Sequence, residues 1–399
     1  MKIEALVVGA TGIAGRGVSQ ELLDTGARVY GLSRHRDGVV AGVEHVAADL
    51  LDSAGLTEAV NGIEPSHVYL TAWSRRATEE ENIRVNAGIV RAVLEAVAPA
   101  RSVKHVALVT GLKHYLGPFE AYVRGGIAPP TPLREEQPRL DLPNFYYSQE
   151  DELYAASKRE GFTWSVHRPH TIIGKAIGNA MNMGSTLAAC ASICKELGRP
   201  FKFPGSAAQW NGLSDMTDAR VLGKQLIWAS TTDAAKNEAY NIVNGDIFRW
   251  SWLWPRIAEW FGVPWEGFEG APVPLEGQMR NDGDVWKKMA VRYGLVEPDL
   301  SRVASPWHTD RHGSPDRGDD RHGAESQTWF PCLSKYGSGF PRSLRNPARG
   351  EGYSLGLKAW RWTAAAEPQT RQSRSRRLTG DGGRKDREDP LQRGPPAIR

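Results

Sequence analysis

The chain has 399 residues, of which 40% are hydrophobic and 24% charged, so it can bury at least one large core and is not a disordered protein. Its net charge of +4 is uneven, because residues 301–399 carry 19 basic and 11 acidic side chains, which leaves 31 and 35 in residues 1–300. The mildly acidic larger part does not favour nucleic acid, and three cysteines provide neither a disulfide framework nor a four-thiolate metal site.

Strand-like apolar runs alternate with helical segments from the N-terminus onward, which is typical of a parallel sheet with crossover helices. The runs lie at residues 5–8, 27–32, 43–47, 67–71, 105–110 and 163–167. The amphipathic segments 13–25 and 81–97 predict covering helices. No signal peptide precedes the first run, and no run reaches the roughly 18 to 20 apolar residues of a membrane helix. We therefore expect a cytoplasmic α/β protein.

The first strand leads into a glycine-rich turn, Gly9-Ala10-Thr11-Gly12-Ile13-Ala14-Gly15, which opens a helix. Glycines there let the backbone turn tightly and approach a pyrophosphate, and the helix N-terminus offers free N–H groups and a positive dipole. The turn therefore predicts a Rossmann-type, doubly wound domain that binds a dinucleotide. Its predicted contacts are Gly9, Thr11, Gly12, Ile13 and Gly15.

The second strand ends in a basic segment where an NAD-binding protein usually has an acidic residue. Basic side chains at this place favour the 2′-phosphate of NADPH, so Ser33, Arg34 and Arg36 are predicted contacts. The alternative is that both arginines are solvated surface charges. After the third strand, Asp49 and Leu50 are predicted to reach the adenine, and Asp49 equally fits a helix N-cap.

Residues at the ends of the later strands are expected to line the same cofactor. They are Thr71, Val109, Thr110, Gly111, Pro169 and Ile172.

The usual catalytic pair of short-chain dehydrogenases, a Tyr with a Lys four residues later, is absent, since Tyr146 is followed at that spacing by Glu150 and Tyr147 by Asp151. Instead, Lys113 comes directly after the fifth strand, and an Asn-Phe-Tyr-Tyr motif opens the next helix at residues 144–147. With the segments 164–169 and 239–246 and a Trp-rich helix beyond, these stretches resemble the progesterone 5β-reductase and iridoid synthase-like (PRISE) family of atypical short-chain dehydrogenases/reductases. The resemblance covers most of residues 1 to about 305.

The resemblance implies that Lys113 and Tyr146 form the catalytic pair, which agrees with their chemistry because an ammonium beside a phenol favours its ionised or strongly donating form. The implied reaction is 1,4-reduction of an enone or enal, in which NADPH gives hydride to the β carbon while Tyr146 stabilises the developing enolate. The alternative is a core tyrosine and a lysine at a loop edge. Two other functions stay open: a carbonyl reductase or epimerase-like enzyme, and a non-catalytic NADP-sensing regulator.

Aromatic and thioether side chains near these motifs predict an apolar substrate pocket, with Asn182 as a polar group in it. The predicted pocket residues are Trp73, Tyr115, Phe119, Met181, Asn182 and Met183, and for each the alternative is a place in the core. No metal site is expected, because His114 and His170 lack further ligands at suitable spacing. Cys190 and Cys194 are interpreted as buried small hydrophobes rather than a redox pair.

From about residue 173 the pattern changes to longer helices with Trp and Phe, at 185–197, 218–230 and 250–261, which predicts a smaller, mainly helical lobe. We expect an NADP-binding Rossmann domain at 1–172, a substrate lobe at 173–310 and a poorly ordered tail at 311–399. After Asp310 the resemblance stops, and we interpret the tail as the product of a shifted reading frame. The alternative is a natural basic tail that binds an anionic partner.

The expected partner is a small apolar enone or enal, with no nucleic acid and no membrane. A homodimer is compatible with the sequence.

Overall fold

The computed structural model describes residues 3–118, 131–179, 181–311 and 332–333. The strands in this part are β1 (Glu4–Val8), β2 (Arg28–Ser33), β3 (Glu44–Ala47), β4 (His67–Leu70), β5 (His105–Val109), β6 (Leu133–Arg134), β7 (Thr163–Pro169), β8 (Ile172–Ile173), β9 (Phe201–Lys202), β10 (Leu213–Ser214), β11 (Thr217–Asp218), β12 (Glu238–Ile242), β13 (Phe248–Arg249), β14 (Trp265–Glu266) and β15 (Cys332–Leu333).

Among the described strands, seven form one sheet in the order β12-β7-β5-β4-β1-β2-β3. Every neighbouring pair is parallel, so the carboxyl ends of these strands lie along one edge. The chain reverses its direction of winding between β1 and β4, and the crevice outside their carboxyl ends is where doubly wound folds bind ligands. The predicted doubly wound fold is confirmed.

Helices cover both faces of the sheet and also follow β7 in the described part of the chain. They are α1 (Ile13–Asp24), α2 (Ser53–Ala59), α3 (Glu79–Val97), α4 (Lys113–Leu116), α5 (Phe145–Glu160), α6 (Met183–Leu197), α7 (Ala207–Asn211), α8 (Ala219–Thr231), α9 (Trp250–Phe261), α10 (Leu275–Gln278), α11 (Gly283–Tyr293), α12 (Leu300–Val303) and α13 (Pro306–Arg311), with 3₁₀ turns at Ala98–Ala100 and Asp233–Ala235. In the described part, no helix is both long and apolar enough to cross a membrane.

The central strands are apolar on both sides because each side faces a layer of helices. Leu6 of β1 enters an apolar cluster with Leu153 of α5 on one side of the sheet. Its neighbour Val7 enters a second cluster with Val18 of α1 and Leu222 of α8 on the other side. This alternation explains why the strands read as continuous apolar runs in the sequence.

The helices α6 and α9 share the largest apolar cluster outside the sheet. Trp254 of α9 stacks on Phe201 at 4.0 Å between ring centroids and donates its indole N–H to the Phe201 carbonyl oxygen at 3.1 Å. Cys190 and Cys194 are fully buried in this cluster, which agrees with their interpretation as small hydrophobes. The boundaries proposed for the domain, the lobe and the tail stay predictions, and the tail lies outside the described residues apart from Arg311 and β15, which pairs with β6.

The predicted strands and helices agree with the observed ones to within two residues at each end. The strand β12, which closes one edge of the sheet, was not predicted. Its sequence, Glu-Ala-Tyr-Asn-Ile, lacks a continuous apolar run. The buried side chain of Asn241 is satisfied by hydrogen bonds to Tyr115 and to the Leu133 carbonyl oxygen. Tertiary contacts rather than strand propensity therefore hold it in the sheet.

Candidate cofactor and catalytic site

The glycine-rich turn after β1 lies at the crevice between β1 and β4. Gly9 has a φ of +86°, and a Cβ built there would lie 2.8 Å from the Cβ of Ala72, just after β4. A Cβ at Gly15 would lie 2.1 Å from the Gly9 carbonyl oxygen, so α1 approaches β1 at a distance that only glycine permits. Gly12 is the N-cap of α1 and supplies no side-chain cap, which leaves the first-turn N–H groups to an anion. The turn fits a pyrophosphate.

The loop after β2 carries the predicted basic residues. Arg34 and Arg36 are both exposed, whereas the Ser33 side chain is buried and bonds to His45 Nε2 at 3.1 Å. Because Ser33 is engaged within the protein, the two arginines are the groups that this loop can offer to a ligand. Their contact with a cofactor stays a prediction.

Arg16, in the first turn of α1, was not singled out from the sequence. Its guanidinium donates a hydrogen bond to the Gly38 carbonyl oxygen in the loop after β2. Its Nε is buried without a hydrogen-bond partner among the described residues, and burial lowers the pKa of this guanidinium. The buried donor beside the glycine turn also fits a dinucleotide, which carries phosphates at this end of the crevice.

The loop after β3 corrects one alternative for Asp49. The N-cap of α2 is Asp52, which accepts a hydrogen bond from the Gly55 N–H at 3.1 Å. Asp49 is exposed and accepts from the Leu51 N–H at 3.0 Å. The N-cap alternative for Asp49 is therefore wrong, because α2 begins at Ser53, whereas a helix capped by Asp49 would begin at Leu50. Adenine contacts at Asp49 and the partly buried Leu50 stay predictions.

The ends of β4 and β5 are tied to their neighbouring strands. The Thr71 hydroxyl donates to the Val8 carbonyl oxygen at 2.7 Å, and the Thr110 N–H donates to the His167 carbonyl oxygen at 2.8 Å. These hydrogen bonds fix the strand ends that line the crevice. Val109 at the end of β5 is partly buried there. Among the remaining predicted contacts, Ile172 packs against Ile13 of α1, in a small apolar cluster.

The hydroxyl of Tyr146 lies at the carboxyl ends of β5 and β7. A Cβ built at Gly111 would be 3.2 Å from this hydroxyl and 3.3 Å from the Pro169 carbonyl oxygen. Gly111 therefore leaves the space that the phenol needs. The three predicted site residues Tyr146, Gly111 and Pro169 are thus brought together.

Lys113 joins the same cluster through aromatic rings. Its Nζ lies 5.0 Å from the centroid of the Phe145 ring and 5.9 Å from that of Trp73. The Phe145 ring is 4.4 Å from the Tyr146 ring and 5.4 Å from the Trp73 ring between centroids. An ammonium on aromatic faces is stabilised by the ring quadrupole. The ammonium and the phenol predicted as a pair therefore share one aromatic neighbour, Phe145.

Asn144 connects the backbones of the two predicted catalytic residues. Its amide nitrogen donates to the Lys113 carbonyl oxygen at 2.7 Å, and its amide oxygen accepts from the Tyr146 N–H at 3.0 Å. The Tyr147 hydroxyl donates to the next carbonyl oxygen, that of His114, at 2.6 Å. Asn144 is only 2% exposed. One buried amide thus fixes α4 against the first turn of α5.

Glu150, at the position where the usual catalytic lysine would stand, is the centre of a buried ionic cluster. Its carboxylate accepts from Arg139 at 2.8 Å, and it lies 3.8 Å from Arg168 Nη2 and 3.8 Å from His114 Nδ1. Burial raises the pKa of this carboxyl, but His114, Arg168 and Arg139 together outweigh burial and lower it. An ionised Glu150 therefore anchors α5 beside α4.

A family model described as a PRISE-like Rossmann-fold domain matches residues 33–307. The chain belongs to the PRISE family. Among curated relatives, (S)-8-oxocitronellyl enol synthase of Nepeta cataria is 39% identical over 321 residues, which are 77% of this chain and 81% of that protein. The 3-oxo-Delta(4,5)-steroid 5-beta-reductase of Arabidopsis thaliana is 38% identical over 318 residues, again 77% and 81% of the two chains.

Solved structures similar to this PRISE-family chain share its fold at low sequence identity. The UDP-glucose 4-epimerase of Thermus thermophilus in complex with NAD has a TM-score of 0.52 and 18% identity, over 77% of this chain and 99% of that chain. An epimerase of Methanothermobacter thermautotrophicus has a TM-score of 0.54 and 19% identity, over 68% and 80%. At this identity they support the fold alone.

The predicted pocket residues of the PRISE-family chain lie in different surroundings. Trp73 is beside Lys113, as described. Tyr115 is 2% exposed, and its hydroxyl donates to Asn241 at 2.7 Å and accepts from Arg168 at 3.1 Å. Its hydroxyl therefore belongs to a buried polar network. Phe119 lies outside the described residues.

The segment that opens α6 holds the other three pocket candidates. Asn182 caps the helix by accepting from the Ser185 N–H at 3.2 Å, and its amide donates to the Gly174 carbonyl oxygen at 2.8 Å. Both ends of this amide are thus used inside the protein. Met183 is buried in the core of the lobe, whereas Met181 is 36% exposed. Of the two methionines, only Met181 presents substantial surface to a ligand. Substrate contacts of all three stay predictions.

Each of the two histidines considered for a metal lies beside one carboxylate, and the described residues contain no group of three or more His, Cys, Asp or Glu that could hold a metal ion. His114 faces Glu150, and His170 Nδ1 bonds to the buried Asp215. A cavity of about 780 Å³ opens elsewhere, between the loop after β3 and α3, with Leu51 and Arg84 in its wall. None of the described residues that line it is a predicted pocket residue.

The structure adds Arg16, Asn144, Glu150 and Arg168 to the residues that shape this site. Arg16 had a readable signal, since it is a basic residue directly after the last glycine of the turn. Asn144 opens the Asn-Phe-Tyr-Tyr motif and Glu150 follows Tyr146 by four residues, but their partners come from other segments of the chain. Their roles therefore depend on the tertiary fold.

Proposed function

We propose that this PRISE-family protein is an NADPH-dependent reductase that saturates the C=C bond of enones and enals. The observation that carries the proposal is the cluster at the ends of β5 and β7, where the Tyr146 hydroxyl lies over Gly111 and the Lys113 ammonium lies on Phe145. Relatives named as a steroid 5-beta-reductase and as an enol synthase support this class of substrate.

NADPH, when bound, supplies the hydride for the carbon β to the substrate carbonyl. Tyr146 donates a hydrogen bond to the carbonyl oxygen, on which negative charge develops as the conjugated bond is reduced. Lys113 favours the donating character of the phenol through its positive charge. Asn144 keeps both residues in place by bonding to their backbones, so little reorganisation is needed during reaction.

The preference for NADPH over NADH is supported by the end of β2. Arg34 and Arg36 are exposed there, in the segment where an acidic residue would bind the ribose hydroxyls of NAD. A 2′-phosphate gains from positive charge in this loop.

The test uses the full chain with NADPH and a panel of enones and enals, following absorbance of the reduced nicotinamide and identifying the products. We expect oxidation that requires an enone and yields a saturated carbonyl compound. Tyr146→Phe and Lys113→Ala should lose roughly 100-fold or more in kcat, with NADPH affinity measured separately by fluorescence. The matched controls are Tyr293→Phe and Lys158→Ala, at exposed positions of α11 and α5, and should retain activity.

Other outcomes identify the rival functions. An alcohol product with the C=C bond intact would make the protein a carbonyl reductase. Tight NADPH binding without turnover of any enone or enal would indicate a dinucleotide-sensing regulator.

A further inference from the structure

The partly buried guanidinium of Arg16 is the strongest feature of the cofactor crevice that the proposed function leaves unused. It lies in the first turn of α1, directly after Gly15, and reaches the loop after β2 through its hydrogen bond to the Gly38 carbonyl oxygen. A Cβ built at Gly38 would lie 3.7 Å from Thr11 Cβ and 3.9 Å from Arg16 Nη1. The loop with Arg34 and Arg36 is thus packed against the glycine turn.

The charge of Arg16 has little compensation within the described part of the protein. Burial alone lowers the pKa of this guanidinium, with no carboxylate acting against it. Its Nε is buried and lacks a hydrogen-bond partner among the described residues. A partly buried cation whose buried Nε–H is unsatisfied gains stability when a ligand supplies an anion. Arg16 lies between the glycine-rich turn and the loop after β2. The anion must therefore be a phosphate of the dinucleotide at this end of the crevice.

We propose that Arg16 binds the 2′-phosphate of NADPH from the α1 side and is a determinant of the preference for NADPH over NADH. The inference rests on the proposed use of NADPH and adds a residue that neither the family resemblance nor the basic loop implies. Arg34 and Arg36 approach the phosphate from solvent, whereas Arg16 closes the inner side. A partly buried, planar guanidinium is the group best suited to a phosphate because its fork of N–H donors matches the oxygens.

The rival role of Arg16 is structural, since its guanidinium also holds the Gly38 carbonyl. The choice of ligands separates the two roles, because loss of the bond to the Gly38 carbonyl should weaken ligands with and without a 2′-phosphate alike, whereas loss of a phosphate contact weakens only those with it. Arg16→Gln removes the charge and leaves a shorter polar side chain. Arg16→Lys keeps the charge but not the fork. Arg159→Gln, on the exposed end of α5, makes the same change in net charge far from the crevice.

Dissociation constants are measured without substrate for NADPH, NADH, adenosine 2′,5′-bisphosphate and adenosine 5′-phosphate. Arg16→Gln should weaken NADPH and the bisphosphate roughly 10- to 100-fold, equivalent to about 1.4 to 2.8 kcal/mol, and change NADH and the monophosphate by less than about threefold. The loss of affinity for NADPH and the bisphosphate in Arg16→Lys should lie between those of the wild type and Arg16→Gln, and Arg159→Gln should bind all four ligands like the wild type. Should Arg16→Gln not fold, Arg16→Lys still has to lose affinity for the bisphosphate selectively.

Equal weakening of NADPH and NADH would assign Arg16 to the pyrophosphate or to loop structure and overturn the proposal, as would unchanged binding of all four probes. A wild-type protein that binds NADPH no better than NADH would also refute it. Selective loss in a protein that reduces no enone would support Arg16 while removing the proposed reductase activity, so the two failures are distinguishable.

Discussion

Removal of the Glu150 carboxylate should destabilise the protein more than any change to an exposed ion pair. Glu150 and Arg168 are 1% and 4% exposed, and Arg168 Nη2 lies 3.8 Å from the carboxylate. Truncation of Glu150 to Ala leaves a buried guanidinium without this partner, which costs about 3 to 5 kcal/mol. Glu150→Gln still offers an oxygen to Arg139 but no charge to Arg168, and should cost roughly 2 to 3 kcal/mol.

Urea unfolding followed by tryptophan fluorescence and circular dichroism measures these losses. The matched control is Glu152→Ala, two residues along α5, whose partner Arg91 is 56% exposed at the surface, so that this pair contributes less than about 1 kcal/mol. A Glu150→Ala protein within about 1 kcal/mol of the wild type, or no more affected than Glu152→Ala, would refute the role assigned to the cluster. Under the proposed mechanism, Glu150→Gln should also lower kcat more than it changes NADPH affinity, because His114 follows Lys113.

Two further predictions concern the crevice and the sheet. Gly15→Ala should abolish measurable NADPH binding, because the new Cβ would meet the Gly9 carbonyl oxygen at 2.1 Å; a fluorescence titration with wild-type affinity would contradict this. Burial lowers the pKa of His105 to about 3 and that of His167 to about 4, so both are neutral when folded and take up protons near pH 6.5 only when unfolded. The unfolding free energy should therefore be independent of these groups above about pH 7 and fall by up to about 1.4 kcal/mol per histidine per pH unit from pH 6.5 towards 4. Urea midpoints at about pH 7.5, 6 and 5 check the slope, which should decrease in His167→Asn.

The parallel sheet could be predicted where a strand is buried on both faces, because such a strand is a continuous apolar run in the sequence. Leu6 and Val7 face opposite layers of helices, and such neighbours produce the continuous apolar runs from which the parallel sheet was inferred. The edge strand β12 failed this criterion because Asn241 occupies a buried position in it. A buried amide is stabilised there by hydrogen bonds to Tyr115 and the Leu133 carbonyl oxygen, and local sequence does not show that these residues lie nearby.

The motifs of the site could be predicted from the sequence, but the residues that hold them in place could not. The glycine turn needs no distant partner to be recognised, and its close approach at Gly15 is a direct consequence of residue type. The hydrogen bonds of Asn144 join α5 to α4, and the ion pair of Glu150 with Arg168 joins α5 to β7, so local sequence gives no sign of either. For the candidate Asn182, local sequence predicts a helix cap as readily as a substrate contact. In the structure its amide oxygen caps α6 and its amide nitrogen donates to the Gly174 carbonyl oxygen.

The relation between Lys113, Tyr146 and Glu150 explains how the lysine can be supplied from a different element. A Lys four residues after a Tyr is positioned by the helix that carries both, with no further support. Here that position is Glu150, whose carboxylate holds Arg168 and His114 instead. Lys113 opens the short helix α4 after β5, so its backbone must be positioned by other means. Asn144 does this from the turn that carries Tyr146, so the start of α5 positions Tyr146 directly and Lys113 through α4.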